Sequence, residues 1–101
     1  MNNPVLKLNE QGRGAFLILD GEEQLGEMAL AIFDKEMVVY HTEVLPKAEG
    51  QGLAKLMLNA MVAYAREKGL KVTPLCPYVH AQFKRHPADF EDIWNKAKED
   101  Q

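Results

Sequence analysis

One cysteine, one tryptophan and no long apolar run: these scarcities narrow the sequence before any motif is read. With Cys76 alone, an intramolecular disulfide is excluded, and so is a Cys-based zinc site built from one chain. The longest apolar runs, such as AFLIL at 15–19, are far too short to cross a bilayer. The first residues, MNNPVLKLNE, lack the charged-then-apolar plan of a signal peptide. No basic cluster is present either: Lys and Arg total 12 against 15 Asp and Glu, the net charge is −3, and both signs are spread along the chain. That argues against a nucleic-acid backbone binder, which needs a concentrated basic surface. Internal repeats, low-complexity stretches and linkers are also lacking. The expectation is a cytoplasmic protein of one domain, residues 1–101, with no nucleic acid, membrane or metal partner and an open oligomeric state, a monomer included.

What is there suits one small core, since apolar residues make up 47% of 101 positions and charged residues 27%. The first half reads as strands. AFLILD (15–20), LGEMALAIF (25–33) and MVVYHTEV (37–44) are β-branched, aromatic or alternating, and the turn sequences DGEEQ and DKE between them suit antiparallel hairpins. VLKL (5–8) adds a shorter first strand through NEQGRG. From Leu53 the period changes: Leu53, Leu56, Met57, Ala60, Met61 and Tyr64 fall at helical spacing, and Gly69 stands where a C-terminal cap belongs. LKVTPL (70–75) then reads as a fifth strand, parallel to the third hairpin strand because a helix is the crossover between them. PYVHAQFKRHP reads as a short helix stopped by Pro87, followed by an acidic tail in which Trp94 anchors a terminal helix on the sheet. Tyr64 is expected in the core.

The motif that needs explaining is PKAEGQGLAKL (46–56), with Gly50 and Gly52 at the turn from a strand into the long helix. Unpaired N–H groups and the helix dipole converge there, and glycine permits both unusual dihedrals and a close approach of backbone to a diphosphate. The same pair also serves simply as a tight strand-to-helix turn. A Walker loop is excluded, because Gly52 is followed by Leu53 and Ala54 rather than Lys-Ser/Thr. A dinucleotide fold is disfavoured too: antiparallel hairpins come first, and position 70, where an acid is wanted, is Leu.

Hairpins, then Gly-x-Gly, then one crossover helix resemble the acetyl-CoA loop of the GNAT superfamily of acetyltransferases, whose pattern is Gln/Arg-x-x-Gly-x-Gly/Ala. More narrowly, HTEV, GQGLA, YAREKGLKVTPLCPYV and RHP, in that order over about residues 13 to 90, resemble the minimal GNAT-like family of roughly hundred-residue proteins. The loop departs from the pattern, with Lys47 where Gln or Arg is usual and Glu49 where Arg generally precedes the first glycine. The resemblance implies an α/β fold with a mostly antiparallel mixed sheet, one long crossover helix and a short second helix. It also implies that acetyl-CoA or coenzyme A binds with its pantetheine arm along HTEVL, ending at Val44 and Leu45, and its diphosphate at Lys47, Gly50, Gln51, Gly52, Leu53 and Ala54. The adenosine end is placed by the same analogy near Lys84 and Arg85, which read equally well as solvated surface charges.

The implied reaction moves an acetyl group from a thioester to an amine, on a small molecule or a protein. It needs a deprotonated nucleophile, a stabilised oxyanion and a proton for the departing thiolate. Strand alternation puts His41 and Glu43 on one face and Tyr40, Thr42 and Val44 on the other. Histidine titrates near neutrality, so His41 suits a base, with Glu43 orienting it or receiving the amine; a hydrogen-bonded strand histidine is the plain alternative. Cys76, one residue past the fifth strand and flanked by Pro74 and Pro77, falls by analogy at the thioester end where the parallel strands of GNAT folds splay; otherwise it is a small buried hydrophobe. A different class stays open: a chain this short lacks the extra elements of larger acetyltransferases and serves equally as a non-catalytic CoA-binding sensor or partner-regulated module.

Overall fold

The alternating segments become strands and the helical-period segment becomes one long helix. The computed structural model describes residues 3–99. Strands β1 (Val5–Leu8), β2 (Arg13–Asp20), β3 (Glu23–Phe33), β4 (Glu36–Val44) and β5 (Lys71–Pro74) form a five-stranded sheet in chain order. Every neighbouring pair is antiparallel except β4 and β5, which run parallel. Helix α1 (Leu53–Lys68) is the crossover, followed after β5 by α2 (Pro77–Arg85), α3 (Pro87–Phe90) and α4 (Lys96–Glu99).

One sheet face and α1 make most of the core. Phe16 and Ile18 from β2, Met28 and Leu30 from β3, and Met37 and Val39 from β4 are buried at two-residue spacing. They meet Leu53, Met57, Leu58, Met61, Val62 and Ala65, the buried stripe of α1. Gly26 of β3 lets the helix sit close, because a Cβ there would lie 3.1 Å from the Met57 Cε. Tyr64 is half-buried and meets Phe16 edge to face at 6.2 Å.

Four details differ from the sequence reading, each for a local reason. β3 starts closer to its turn with β2, at Glu23 rather than Leu25, since Asp20 and Glu23 still pair. β5 is shorter than expected: the Leu70 N–H belongs to the helix end, bonding Ala65 O at 2.8 Å, and the Leu75 N–H turns back to Thr73 O at 3.2 Å. Pro87 opens α3 as well as ending α2, a first-turn position that suits its fixed φ and missing N–H. Trp94 lies in no helix; its segment bridges β5, with the Val72 N–H bonding Ile93 O at 2.6 Å and the Asn95 N–H bonding Val72 O at 2.8 Å.

Aromatic packing dominates the attachment of that C-terminal segment. The Phe83 ring, fully buried, stacks on Phe90 at 4.7 Å and meets Trp94 edge on at 5.6 Å. On the surface Arg66 Nε donates to Asp92 Oδ2 at 2.8 Å, and Lys71 Nζ donates to Asp92 O at 2.6 Å. The hydrogen bond from Arg66 holds the Asp92 carboxyl below its ordinary range. Truncating a buried Phe costs about 3–5 kcal/mol, whereas an exposed ion pair contributes about 0.2–1 kcal/mol. In urea unfolding, Phe83→Ala is therefore expected to lose several times more stability than Arg66→Met. The Arg66 contribution should be present at neutral pH, where Asp92 is ionised in both states, and should fade as pH falls through the lowered Asp92 value. An Arg66→Met loss that is as large at pH 2 as at pH 7 would contradict the ion pair.

Candidate functional site

The site begins where two strands stop pairing. β5 follows β4 only from Glu36 opposite Lys71 to Val39 opposite Pro74. The Leu75 N–H, which the alternation from Lys71 aims at β4, bends back to Thr73 O at 3.2 Å instead, and the chain leaves the sheet through Cys76, whose N–H closes the gap with a 2.8 Å bond to Val39 O. β4 continues to Val44 beyond that point. Across its other edge the register jumps: Leu30 faces Val39 but Ala29 faces His41, so Tyr40 is the extra residue of a β-bulge.

The bulge reverses the alternation of β4. Met37 and Val39 face the core, yet beyond Tyr40 it is Thr42 and Val44 that turn inward, while His41 and Glu43 turn to the opposite face. His41 and Glu43 do share a face, as the sequence implies, but Tyr40 does not follow Thr42 inward and is 41% exposed. Backbone directions follow the same logic. The Leu45 N–H bonds Leu25 O at 2.9 Å, so the alternate residues 43 and 41 also point at β3. The N–H and C=O groups of Thr42 and Val44 are thereby turned to the side that β5 has left.

Past Val44 the chain makes a single 3-10 turn (Pro46–Ala48) and enters the loop that starts α1. Gly50 and Gly52 have φ of +83° and +75°, a region that costs other residues about 1–2 kcal/mol. A Cβ built on either glycine meets nothing within 4 Å, so the space above the loop is open. Gly52 is the N-cap of α1, without a side-chain cap and with no acidic residue in the first turn. Among the described residues, the N–H groups of 50–54 donate to no acceptor. They border a pocket of about 300 Å³ that reaches from Val44 to Gly50, Gly52, Leu53 and Ala54, with Glu49 also on its wall. Uncapped donors at a helix start, open space and missing side chains are what a diphosphate requires, so the loop fits that group.

The remaining expected residues are distributed unevenly. Cys76, 1% exposed, is the N-cap residue of α2, and its sulfur lies 3.2 Å from the Thr42 hydroxyl. Two residues on, half-buried Tyr78 has its hydroxyl pKa raised, first by burial and then by the neighbouring Cys76, so it keeps its proton at neutral pH. On the opposite face, His41 Nε2 is 3.3 Å from Glu27 Oε2 and 4.0 Å from Glu43 Oε1. Glu27, Glu43 and Val44 line a smaller hollow of about 160 Å³ between the ends of β3 and β4. The structure thus brings His41 together with Glu43, and Cys76 together with Thr42, but no hydrogen bond joins His41 to Cys76 among the described residues.

Lys47 is turned away from the glycine loop, its Nζ 2.6 Å from a Glu23 carboxylate oxygen on β3. Lys84 and Arg85 are exposed in the last turn of α2, and Gln51 is exposed in the loop; none of these lines the pocket. Three residues near these groups were not singled out as site residues from the sequence: Thr42, placed there only by its face, Glu27 and Tyr78. Tyr78 had a readable signal, a tyrosine just after the Cys-Pro that leaves a parallel strand. Glu27 had none, because its neighbour depends on a register jump. Among the described residues, no group of three His, Cys, Asp or Glu side chains is gathered to hold a metal ion, and no helix is long and apolar enough to cross a membrane.

Comparison with known proteins agrees with this geometry. A family model for GCN5-related N-acetyl-transferases matches residues 15–93. A GCN5-like protein of Staphylococcus aureus, proposed to be an N-acetyltransferase and solved by NMR, is 32% identical, with a TM-score of 0.64 over 93% of this chain and 90% of its own. The crystal structure of the ribosomal-protein-S18-alanine N-acetyltransferase of Escherichia coli superposes with a TM-score of 0.58 at 13% identity, over 65% of this chain and 43% of its own, a likeness of fold alone. The search of curated proteins gives no match.

Proposed function

The chain belongs to the GCN5-related N-acetyltransferases, a family of enzymes, and from that premise we propose that it binds acetyl-CoA beside β4 and transfers the acetyl group to an amine. The observation that carries this reading is the gap past Val39, which runs along the free backbone of Thr42 and Val44 into the uncapped start of α1. An extended amide-containing arm pairs with such a strand edge as an added strand does. The N–H groups around Gly52 then receive the diphosphate, with Glu49 on the pocket wall as an opposing charge. Acetyl-CoA, when bound, supplies the thioester.

The side chains divide the work by face. His41 takes the proton of the acceptor ammonium on the outer face, so that the nitrogen lone pair can attack the carbonyl through the gap. Tyr78, protonated at neutral pH with its pKa raised by burial, donates a proton to the departing sulfur. Cys76 and Thr42 form the wall between them. Direct attack by the amine is favoured over an acyl-cysteine because the only group bonded to the Cys76 sulfur among the described residues is a hydroxyl, not a base. The acceptor is a small-molecule or protein amine.

Coenzyme A and acetyl-CoA should raise the melting temperature, since a ligand at about 100 times its Kd stabilises the native state by about 2.7 kcal/mol. Free adenosine should do much less. Gly52→Asp puts a side chain and a negative charge in the open space above the loop and should abolish the shift; unchanged CoA binding would refute the loop assignment.

Turnover against polyamines, amino acids and lysine peptides separates an enzyme from a non-catalytic CoA-binding module. With an accepted amine, Tyr78→Phe should lower kcat on the order of 10²-fold. His41→Ala should lose more rate at neutral pH than at high pH, where the free amine needs no base. Cys76→Ser should slow the reaction only modestly. Intact mass after brief exposure to acetyl-CoA tests the remaining step, and an acetyl group on Cys76 that disappears when amine is added would overturn direct attack.

A further inference from the structure

The outer face of β4 contains a contact that the reading above does not use. Ala29 lies opposite His41, and Glu27 lies opposite Glu43. Glu27 is therefore the diagonal neighbour of His41, within reach of a long side chain across an antiparallel pair. Two carboxylates placed directly opposite one another destabilise a sheet, which makes Glu27 and Glu43 a poor choice for folding alone. The imidazole of His41 lies against both, with the same nitrogen, Nε2, turned toward each. Glu27 is the nearer, at 3.3 Å against 4.0 Å, and the less exposed, with its side chain 34% exposed against 77% for Glu43. The residue directly opposite the ring is only an alanine, which leaves the flank of the imidazole uncovered.

We propose that Glu27 is the positioning residue of His41, its carboxylate accepting the Nε2–H and leaving Nδ1 as the nitrogen that takes the proton of the acceptor amine. An ionised carboxylate can only accept, so the nitrogen that faces it carries the hydrogen and the other ring nitrogen holds the lone pair. The step balances: the ammonium N–H bond breaks, the proton joins Nδ1, and the amine lone pair forms the bond to the carbonyl carbon. The carbon–sulfur bond breaks, the sulfur leaves with the proton of Tyr78, and the second proton lost by the nitrogen as the amide forms passes through solvent to the Tyr78 phenolate, restoring its hydroxyl. The ring then carries a positive charge with Glu27 against its Nε2–H. The role rests on the acetyl-transfer reading, whereas the hydrogen bond itself can be observed without turnover.

The test uses the full chain labelled with ¹⁵N, with the His41 ring signals assigned by loss in His41→Gln. Long-range proton–nitrogen spectra at a pH where the ring is neutral should show the Nε2–H tautomer alone in the parent and a mixture of both tautomers in Glu27→Ala. Glu27→Gln, whose amide oxygen still accepts, should keep the single form. In turnover, Glu27→Ala should lower kcat on the order of 10-fold with KM for acetyl-CoA unchanged, and Glu27→Gln should recover part of the loss. Glu27 is outside the core cluster, so both variants should keep the parent melting temperature within a few degrees. A single tautomer retained in Glu27→Ala, or one lost in Glu43→Gln instead, overturns the proposal. A parent that transfers acetyl to no amine refutes the acetyl-transfer reading, while the tautomer result still decides whether Glu27 holds the ring.

Discussion

The bond from the Cys76 N–H to Val39 O is the point on which the rest of the site depends. It is the last link between the parallel strands, and it forms where the Leu75 N–H, which would have continued the ladder, has turned back to Thr73 O. Had β5 continued alongside Thr42 and Val44, their backbone groups would be satisfied within the sheet and no edge would be left for a ligand. The same bond sets Cys76 as the N-cap of α2, which places Tyr78 and the buried Val79 and Phe83 on the helix that follows. A short strand, one turned-back amide at Leu75 and one backbone bond thus open the cleft and build the wall beside it.

The bulge at Tyr40 is the second constraint, acting on side chains rather than backbone. Without it, the inward positions Met37 and Val39 would be followed inward by His41 and Glu43, which would place a titratable ring and a carboxylate against the apolar core. With it, Thr42 supplies the inward group, a small hydroxyl whose hydrogen bond is met by the Cys76 sulfur, and the ionisable residues stay in water. Folding and function point the same way here, since the arrangement that spares the core from charge also presents His41 on an open face.

Much of this was legible because it is local. Two-residue alternation marked the strands, the step from Leu53 to Tyr64 marked α1, and Gly50 and Gly52 marked a left-handed turn at its start. His41 beside Glu43 followed from their spacing alone. What the sequence did not reveal depends on contacts distant in the chain. The Thr42–Cys76 contact spans 34 positions, and the Lys47–Glu23 contact, which turns Lys47 away from the loop, spans 24. Trp94 misled for the same reason: its segment looks helical by composition, and only the free edge of Val72 draws it into an extended bridge.

The two faces of β4 also bear on which chemistry the site suits. A covalent cysteine route asks for a thiol with a base beside it, and the only residue bonded to the Cys76 sulfur among the described residues is Thr42, a hydroxyl whose own proton is too weakly acidic and whose oxygen is too weakly basic for that task. The groups suited to accept a proton, His41 with Glu27 and Glu43, sit on the opposite face. In the proposed reaction the proton to be removed belongs to the acceptor, so the base is needed on the acceptor's side and not next to the sulfur. Tyr78, whose hydroxyl pKa is raised by burial, is in that proposed reaction the complementary group on the cysteine side, where a leaving thiolate needs an acid. Acid and base on opposite sides of one strand suit an amine and a thioester that approach the gap from different directions, and they leave Cys76 with no proton transfer to make.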